Sequence, residues 1–478
     1  MKTCLRPLPV ILVVLLSACR IGPDYVRPEM AVPTVYKEAG DWKPAAPADP
    51  AAGDAWWTAF GDPVLDQLQA RLLVSNQNLR AVEAQYRQAR ALADSARASG
   101  FPTVTGSVGM TRGTSGSSGS SGSSTASQGP AAVTNSYSLG ASSSWEADVW
   151  GRIARNVEAA DARVEASDAD LAAARLSARA TLAQTYFQLR SAERQKRLLE
   201  ATVAAYERAL ELTRNRYAAG VAGRADVVQA ESLLRSTRAQ TIDVRLSRAQ
   251  YEHAIAVLIG EAPAAFTLAE SDAPLPVAVT PVSLPSTLLE RRPDIAAAER
   301  RVAAANAAVG AAQAARFPVL GLTAGAGYRS SDLSELLSLS SRYWSLGPTV
   351  AASLFDGGAK RAATGQAVAV WDQAVATYRQ TVLTAFQEVE DNLVAARLLE
   401  HELTEQNAAV TAAAEAEAIA LNQYRAGTVS YLNVVTAQTT LLTARRSAND
   451  LAARRLLAAV LLAKNAGGDV ARSAKPAP

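Results

Sequence analysis

Four stretches of the chain alternate apolar and polar side chains with period two. Val104, Val108 and Met110 interleave with Thr103, Thr105, Ser107 and Thr111, and Tyr137, Leu139, Ala141 and Trp145 interleave with Ser136, Ser138, Ser142 and Ser144. Later, Leu320, Leu322, Ala324 and Tyr328 repeat the pattern, followed by Trp344, Leu346, Val350, Ala352 and Leu354. Period two places alternate side chains on opposite faces of a strand. About ten residues with aromatics near the ends, apolar on one face and polar on the other, is the pattern of a strand crossing a membrane in a β-barrel. The smallest such barrels use about eight strands. The pattern therefore predicts that several chains contribute to one barrel.

The remaining apolar positions follow helical spacing. From Gly151 to Tyr217 the chain has no proline and no internal glycine, which predicts one helix about 100 Å long. Val157, Val164 and Leu171 recur every seventh residue, and Leu182, Leu189, Val203, Leu210 and Tyr217 fit a second, shifted register. Val368, Val375, Val382 and Val389 form a similar seam in a later helix, expected at about 358–424. Such seams favour left-handed supercoiling. A fibrous rod would show them too, but paired barrel strands at one end disfavour a rod. Shorter returning helices are expected at about 226–260 and 431–465, and a further helix starts near Pro293, a good first-turn residue.

These elements occur twice. The segment "NRYAAGVAGRADVVQAE" from Asn215 matches "NQYRAGTVSYLNVVTAQ" from Asn422, and Tyr217 and Tyr424 lie 207 residues apart (424 − 217). Gly151 and Gly358 keep that spacing (358 − 151), whereas Pro102 and Pro318 lie 216 apart (318 − 102). The first copy thus holds nine extra residues (216 − 207), within the segment containing Thr114–Gly129, whose Ser and Gly content reads as an enlarged flexible loop tip. The copies are placed at 61–270 and 271–465, with strands at about 103–147 and 319–355, and a flexible tail at 466–478.

Composition narrows the class. Hydrophobic residues make up 49% of the 478 but aromatics only 6%, so Ala, Leu and Val carry the apolar content, as suits long helices. The formal charge of +3 gives no electrostatic footprint for nucleic acid. No apolar run after Cys19 is long enough for a membrane-spanning helix. Any crossing must then use strands.

The beginning of the chain reads as a secretory signal over 1–18: Lys2 and Arg6, an apolar run Val10–Leu16, then small residues Ser17 and Ala18. Leu16-Ser17-Ala18-Cys19 resembles the bacterial lipobox, which implies cleavage before Cys19 and acylation of that cysteine. Residue 20 is Arg rather than the Asp that favours retention in the inner membrane, which points to the outer membrane. An extended segment is expected over 19–60.

Cys19-Arg20-Ile21-Gly22-Pro23-Asp24-Tyr25, "RRPDI" at Arg291–Ile295, both Tyr-x-x-Gly turns and the two-copy layout resemble the TolC-like outer-membrane factor family, in its lipoprotein branch. That resemblance covers nearly the whole mature chain. It implies a mainly α fold with a small β part, in which a homotrimer shares one transmembrane β-barrel and continues as an α-helical barrel through the periplasm. It also implies the partners: a periplasmic adaptor, an inner-membrane transporter, commonly of the resistance-nodulation-division class, and outer-membrane lipid. No cofactor is implied beyond the lipid on Cys19.

The family's gate lies at the periplasmic helix turns. Gly220 and Gly427 suit the left-handed conformation that closes a helix, and Asp226 sits where a carboxylate favours the start of the returning helix. The resemblance places a Tyr424–Asp226 link and Arg425 at the gate, with Ala219, Gly220, Val221, Ala426, Gly427 and Thr428 on the adaptor-contacting turns. The acidic rings of relatives map onto Asn433 and Thr436, so this chain lacks those carboxylates and the usual partner of Arg425. Ordinary helix-end chemistry is the competing account of Asp226 and Arg425.

Enzyme chemistry finds no support in the residues. His253 and His401 have no acidic or cysteine neighbours at ligand spacing, the "GAG" at Gly325–Gly327 lacks a dinucleotide loop's third glycine, and Glu388, Glu390 and Asp391 read as a solvated or subunit-facing helix side. Two classes remain open: a passive export duct, serving drug efflux, metal efflux or type I protein secretion, and a structural or adhesive surface lipoprotein. Met30 and Met110 are the only methionines after Met1, so no methionine relay for soft metal ions is visible.

Overall fold

The computed structural model describes residues 20–30, 36–39, 50–114, 133–276 and 291–468. Cys19 and the signal segment, residues 115–132 of the Ser/Gly stretch, and residues 469–478 of the tail lie outside the described residues.

In chain order the helices are α1 (Pro63–Ser75), α2 (Gln77–Ala98), α3 (Arg152–Ala218), α4 (Arg224–Leu258), α5 (Pro293–Ala314), α6 (Ala359–Ala426) and α7 (Tyr431–Asn465). The strands are β1 (Thr103–Thr114), β2 (Val133–Ala147), β3 (Val319–Ser330) and β4 (Arg342–Ala351). They form one antiparallel sheet in the order β1-β2-β3-β4. The internal repeat is kept in the fold: α4 and α7 begin 207 residues apart (431 − 224), and β1 and β3 begin 216 apart (319 − 103).

The chain divides into two compact units, and the long helices contribute to both. The first comprises residues 1–28, 87–167 and 298–377 and contains the sheet. Each long helix starts there on an aspartate. Asp148 accepts from the N–H groups of Ile153 and Ala154 at 2.9 and 2.7 Å, and Asp356 from those of Gly358 and Lys360 at 2.9 and 3.1 Å. Both satisfy donors that a helix start leaves open.

The "RIGPDY" stretch is clamped to this unit. Arg155, only 2% exposed, donates to the carbonyls of Ile21 and Gly22 and to Asp24 at 3.2, 3.1 and 2.9 Å. Asn306 donates to the Pro23 carbonyl at 2.9 Å, and Tyr25 to Glu299 at 3.0 Å. Gly22 has φ +108°, and a Cβ there would lie 2.4 Å from the Gly310 Cα. Only glycine fits. This stretch, one of those that carry the family resemblance, is a structural strap.

The second unit comprises residues 29–86, 168–297 and 378–478. Its main core joins Trp56, Trp57, Phe60, Leu65, Leu72, Leu182, Phe187, Leu189, Ile255 and Val460. Residues Pro50–Phe60 are 3-10 helix, kinked at Ala55, rather than the extended chain expected, with Trp56, Trp57 and Phe60 buried in this core. Before the first strands, α1 and α2 are separated at Asn76, whose side chain accepts from the Leu79 N–H at 2.9 Å and donates to the Leu258 carbonyl at 2.6 Å.

The seams are buried where the second unit packs: Leu182, Leu189, Val382 and Val389 are at most 2% exposed, as are Tyr378, Ala385 and Leu393. Tyr217 and Val368, expected on the same seams, are 48% and 38% exposed. The "RRPDI" motif anchors α5. Arg292 grips Asp294 through two hydrogen bonds of 3.0 and 2.6 Å and reaches Glu388 at 2.8 Å, while Ile295 is fully buried.

Candidate functional site: the helix turns and the two-faced sheet

At the end of α3, Gly220 takes φ +75°, and at the end of α6, Gly427 takes φ +81°. Gly220 N–H bonds the Tyr217 carbonyl and Val221 N–H the Arg216 carbonyl, both at 2.9 Å; Gly427 and Thr428 repeat this with Tyr424 and Gln423 at 3.0 Å. Both turns are thus glycine-closed Schellman ends. Ala219, Gly220, Val221, Ala426, Gly427 and Thr428 are all exposed. They are free of the core that holds the turns together.

That core contains Tyr206, Leu210, Ala230, Leu234, Tyr424, Tyr431 and Val434. The Tyr424 and Tyr431 rings lie 5.3 Å apart, and the Arg216 guanidinium sits 4.7 Å from the Tyr424 ring centroid. Arg216 also donates to the Arg425 carbonyl at 3.2 Å, which ties the end of α3 to the end of α6. Burial, reinforced by Tyr424, Tyr206 and Asp226, pushes the Tyr431 phenol up to about 12.

The Tyr424–Asp226 link implied by the resemblance is not a hydrogen bond within this chain. The Tyr424 hydroxyl is buried without a hydrogen-bond partner among the described residues. Asp226 instead accepts from the Gly223 N–H at 3.3 Å, three residues before it. Helix capping is its role within the chain, because that N–H is an open donor at the start of α4. Arg425 is exposed, and its guanidinium donates to Asn422, at 3.5 Å on its own helix. Asn433 is exposed. Thr436, also exposed, returns its hydroxyl to the Leu432 carbonyl at 2.9 Å.

Sequence reasoning missed Arg216. The signal available was an arginine directly before Tyr217, where the second copy has Gln423 before Tyr424. Its cationic head finds the tyrosine of the other copy's turn.

The sheet register sorts every strand residue onto one of two faces. Val108 opposes Leu139, Leu139 opposes Tyr328, Trp145 opposes Leu322, and Ala324 opposes Leu346. On the other face Thr105 opposes Ser142, Ser142 opposes Gly325, and Gly325 opposes Ser345. One face is mainly apolar, with Arg112, Asn135 and Arg342 toward the end of the sheet away from the helices; the other carries mainly hydroxyls and glycines. Strand β4 ends at Ala351, so Leu354, expected on it, lies beyond the sheet and is 98% exposed. No helix of the described residues is long and apolar enough to cross a membrane.

With this geometry in place, the chain matches the family described as "Outer membrane efflux protein" over residues 68–261 and 284–468. It belongs to that family. Among curated relatives, "Probable efflux pump outer membrane protein TtgC" of Pseudomonas putida is 33% identical over 461 residues, covering 95% of this chain and 93% of the relative. "Cation efflux system protein CusC" of Escherichia coli is 31% identical over 472 residues, covering 98% and 99%. Among solved structures, the outer-membrane channel OprN superposes with a TM-score of 0.85 at 32% identity, over 94% of this chain and 99% of that one. The chain is an outer-membrane transport protein, with the helical channel fold and internal repeat of those neighbours.

Proposed function

We propose that three copies of this chain close their sheets into one barrel and form the exit duct of a tripartite efflux system in the outer membrane. The observation that carries this is the sheet itself, with strands of 10 to 15 residues, one apolar face, one hydroxyl-and-glycine face, and two open edges at β1 and β4. An apolar face meets lipid and a polar face lines water. Open edges do not persist in a bilayer, because each unpaired backbone group there costs several kcal/mol. Pairing β4 of one copy with β1 of the next removes them.

Beyond the membrane, the exposed turns at Gly220 and Gly427 are the surface offered to a periplasmic adaptor, and through it to an inner-membrane transporter of the resistance-nodulation-division class. Cys19 carries the lipid anchor, an N-acyl and S-diacylglycerol group. The duct itself is passive, and no catalytic role is assigned to it. The exported compounds are small and toxic to the cell, and their selection belongs largely to the transporter.

The test is reconstitution of the purified full-length protein in planar bilayers, with chemical cross-linking of the same sample. Discrete conductance steps from a preparation that cross-links as a trimer are expected. A cross-linked trimer that conducts nothing, even when both helix turns are loosened by substitution, would leave only the structural-lipoprotein reading.

A further inference from the structure

We infer that Arg329 is a selectivity residue of the duct, forming with its copies a cationic collar that favours anionic solutes in the half of the barrel away from the helices. This deepens the proposed function and rests on it.

Among the described strand residues, the hydroxyl-and-glycine face carries two charged side chains, Glu146 and Arg329. Glu146, at the helix end of β2, is neutralised by Arg152 through hydrogen bonds of 2.7 to 3.2 Å. Arg329, near the far end of β3, lies over the Tyr343 ring with its guanidinium carbon 5.2 Å from the centroid. It makes no ion pair among the described residues. The first carboxylate beyond the strand, Asp332, is already engaged by the Ser334 N–H and hydroxyl at 3.0 and 2.8 Å. Arg112 and Arg342, near the same end, project from the apolar face by register and do not offset it.

The wall is shaped to hold Arg329 flat. Tyr343 opposes Gly327, which in turn opposes Gly140. A Cβ on Gly140 would stand 2.5 Å from the Tyr343 hydroxyl oxygen, and one on Gly327 would strike the Leu139 carbonyl. The missing side chains leave a hollow in which the phenol lies against the sheet, and the guanidinium stacks on it. Such stacking leaves the cation its charge while fixing its place. The result is a charged collar that does not plug the passage.

Fixed cations on a wall of neutral Ser, Thr and Gly raise the local concentration of anions and lower that of cations. At the second turn, positions 433 and 436 are Asn and Thr and add no carboxylates. Organic anions are the solute class this duct favours.

The experiment reads the field locally. A reporter thiol is introduced as Ser345→Cys, on the same face two residues from Tyr343, in the full-length protein. Its reaction rates with an anionic and a cationic methanethiosulfonate of similar size are compared. The unsubstituted protein gives the background. With Arg329 present the anionic reagent reacts faster. Arg329→Gln lowers the anion-to-cation rate ratio by roughly tenfold, Arg329→Lys retains it, and about 1 M salt, with a screening length near 3 Å, abolishes the difference. A ratio unchanged in Arg329→Gln overturns the collar while leaving the duct intact. A reporter that neither reagent reaches in a conducting trimer overturns the assignment of this face to the passage.

Discussion

Arg216 and Tyr424 end two different long helices, and they are joined, with the guanidinium of the first 4.7 Å from the ring centroid of the second. The same guanidinium bonds the Arg425 carbonyl at 3.2 Å. Together with the Tyr424–Tyr431 ring contact at 5.3 Å, this clasp unites the two turns that the repeat made separately.

The first prediction separates the clasp from a tyrosine–aspartate link. A cation–π contact of this kind contributes about 0.5–2 kcal/mol, and in the proposed trimer its repetition would multiply a closed-state bias. Arg216→Ala is expected to raise the frequency of open-channel events in bilayers. Tyr424→Phe, which removes only a hydroxyl that has no partner among the described residues, is expected to leave them unchanged. A large effect of Tyr424→Phe with none from Arg216→Ala would restore the aspartate link, formed then between copies.

The second prediction concerns the strap. Removing Arg155 leaves Asp24, Glu158 and two backbone carbonyls without their donor. The carboxylates are partly or largely solvated, so the loss falls mainly on the two carbonyls, and a buried acceptor left unsatisfied costs about 1–3 kcal/mol. Arg155→Met should therefore lower the protein's thermal midpoint. Asp24→Asn, at an exposed partner, should lower it little. Gly22→Ala should resemble Arg155→Met, because its Cβ has no space against Gly310.

Acid sensitivity follows from two carboxylates in the second unit. Burial opposes ionisation of Asp294, but the two-pronged Arg292 contact and the Ile295 N–H outweigh it and hold the carboxyl below its ordinary value. Lys196 does the same for Glu270. A depressed folded-state value means the folded protein binds fewer protons than the unfolded chain. The contribution is present above the ordinary carboxylate range and is lost as pH falls through the lowered values. Thermal midpoints measured from pH 7 down to about pH 2 should decline below about pH 4, and Lys196→Met should flatten part of that decline.

The sequence made the sheet and the long helices legible because each has a pattern that few other structures share. Val108 next to Met110's row and Leu322 next to Trp145's could alternate only on a two-faced strand. A helix such as α3 needs only the absence of Pro and Gly to be seen. The local contacts were less visible. Asp226 looked like one half of a gate, yet its nearest open donor was the Gly223 N–H of its own helix start. Arg216 was hidden because aligning the two copies sets it opposite Gln423, so the repeat carried no hint of a contact across it. The strap was hidden because Gly22 and Asp24 have meaning only once Gly310 and Arg155, far along the chain, are folded beside them.

The last prediction uses the departure at the turns. Asn433 and Thr436 are exposed on the first turns of α7, and no acidic side chain stands at either position. If these residues face the passage in the trimer, carboxylates placed there by Asn433→Asp and Thr436→Asp form rings that focus the field at the narrowest point. Asn433, near the start of α7, is also where a carboxylate suits a helix N-terminus, so folding should tolerate the change. Reversal potential under a salt gradient should then move toward cation selectivity, and millimolar divalent cations should block the current more strongly. Combining the pair with Arg329→Gln should shift selectivity further in the same direction, since the two rings act at different points along one path. A reversal potential identical to that of the unsubstituted protein, from an intact conducting trimer, would place α7's first turns outside the passage.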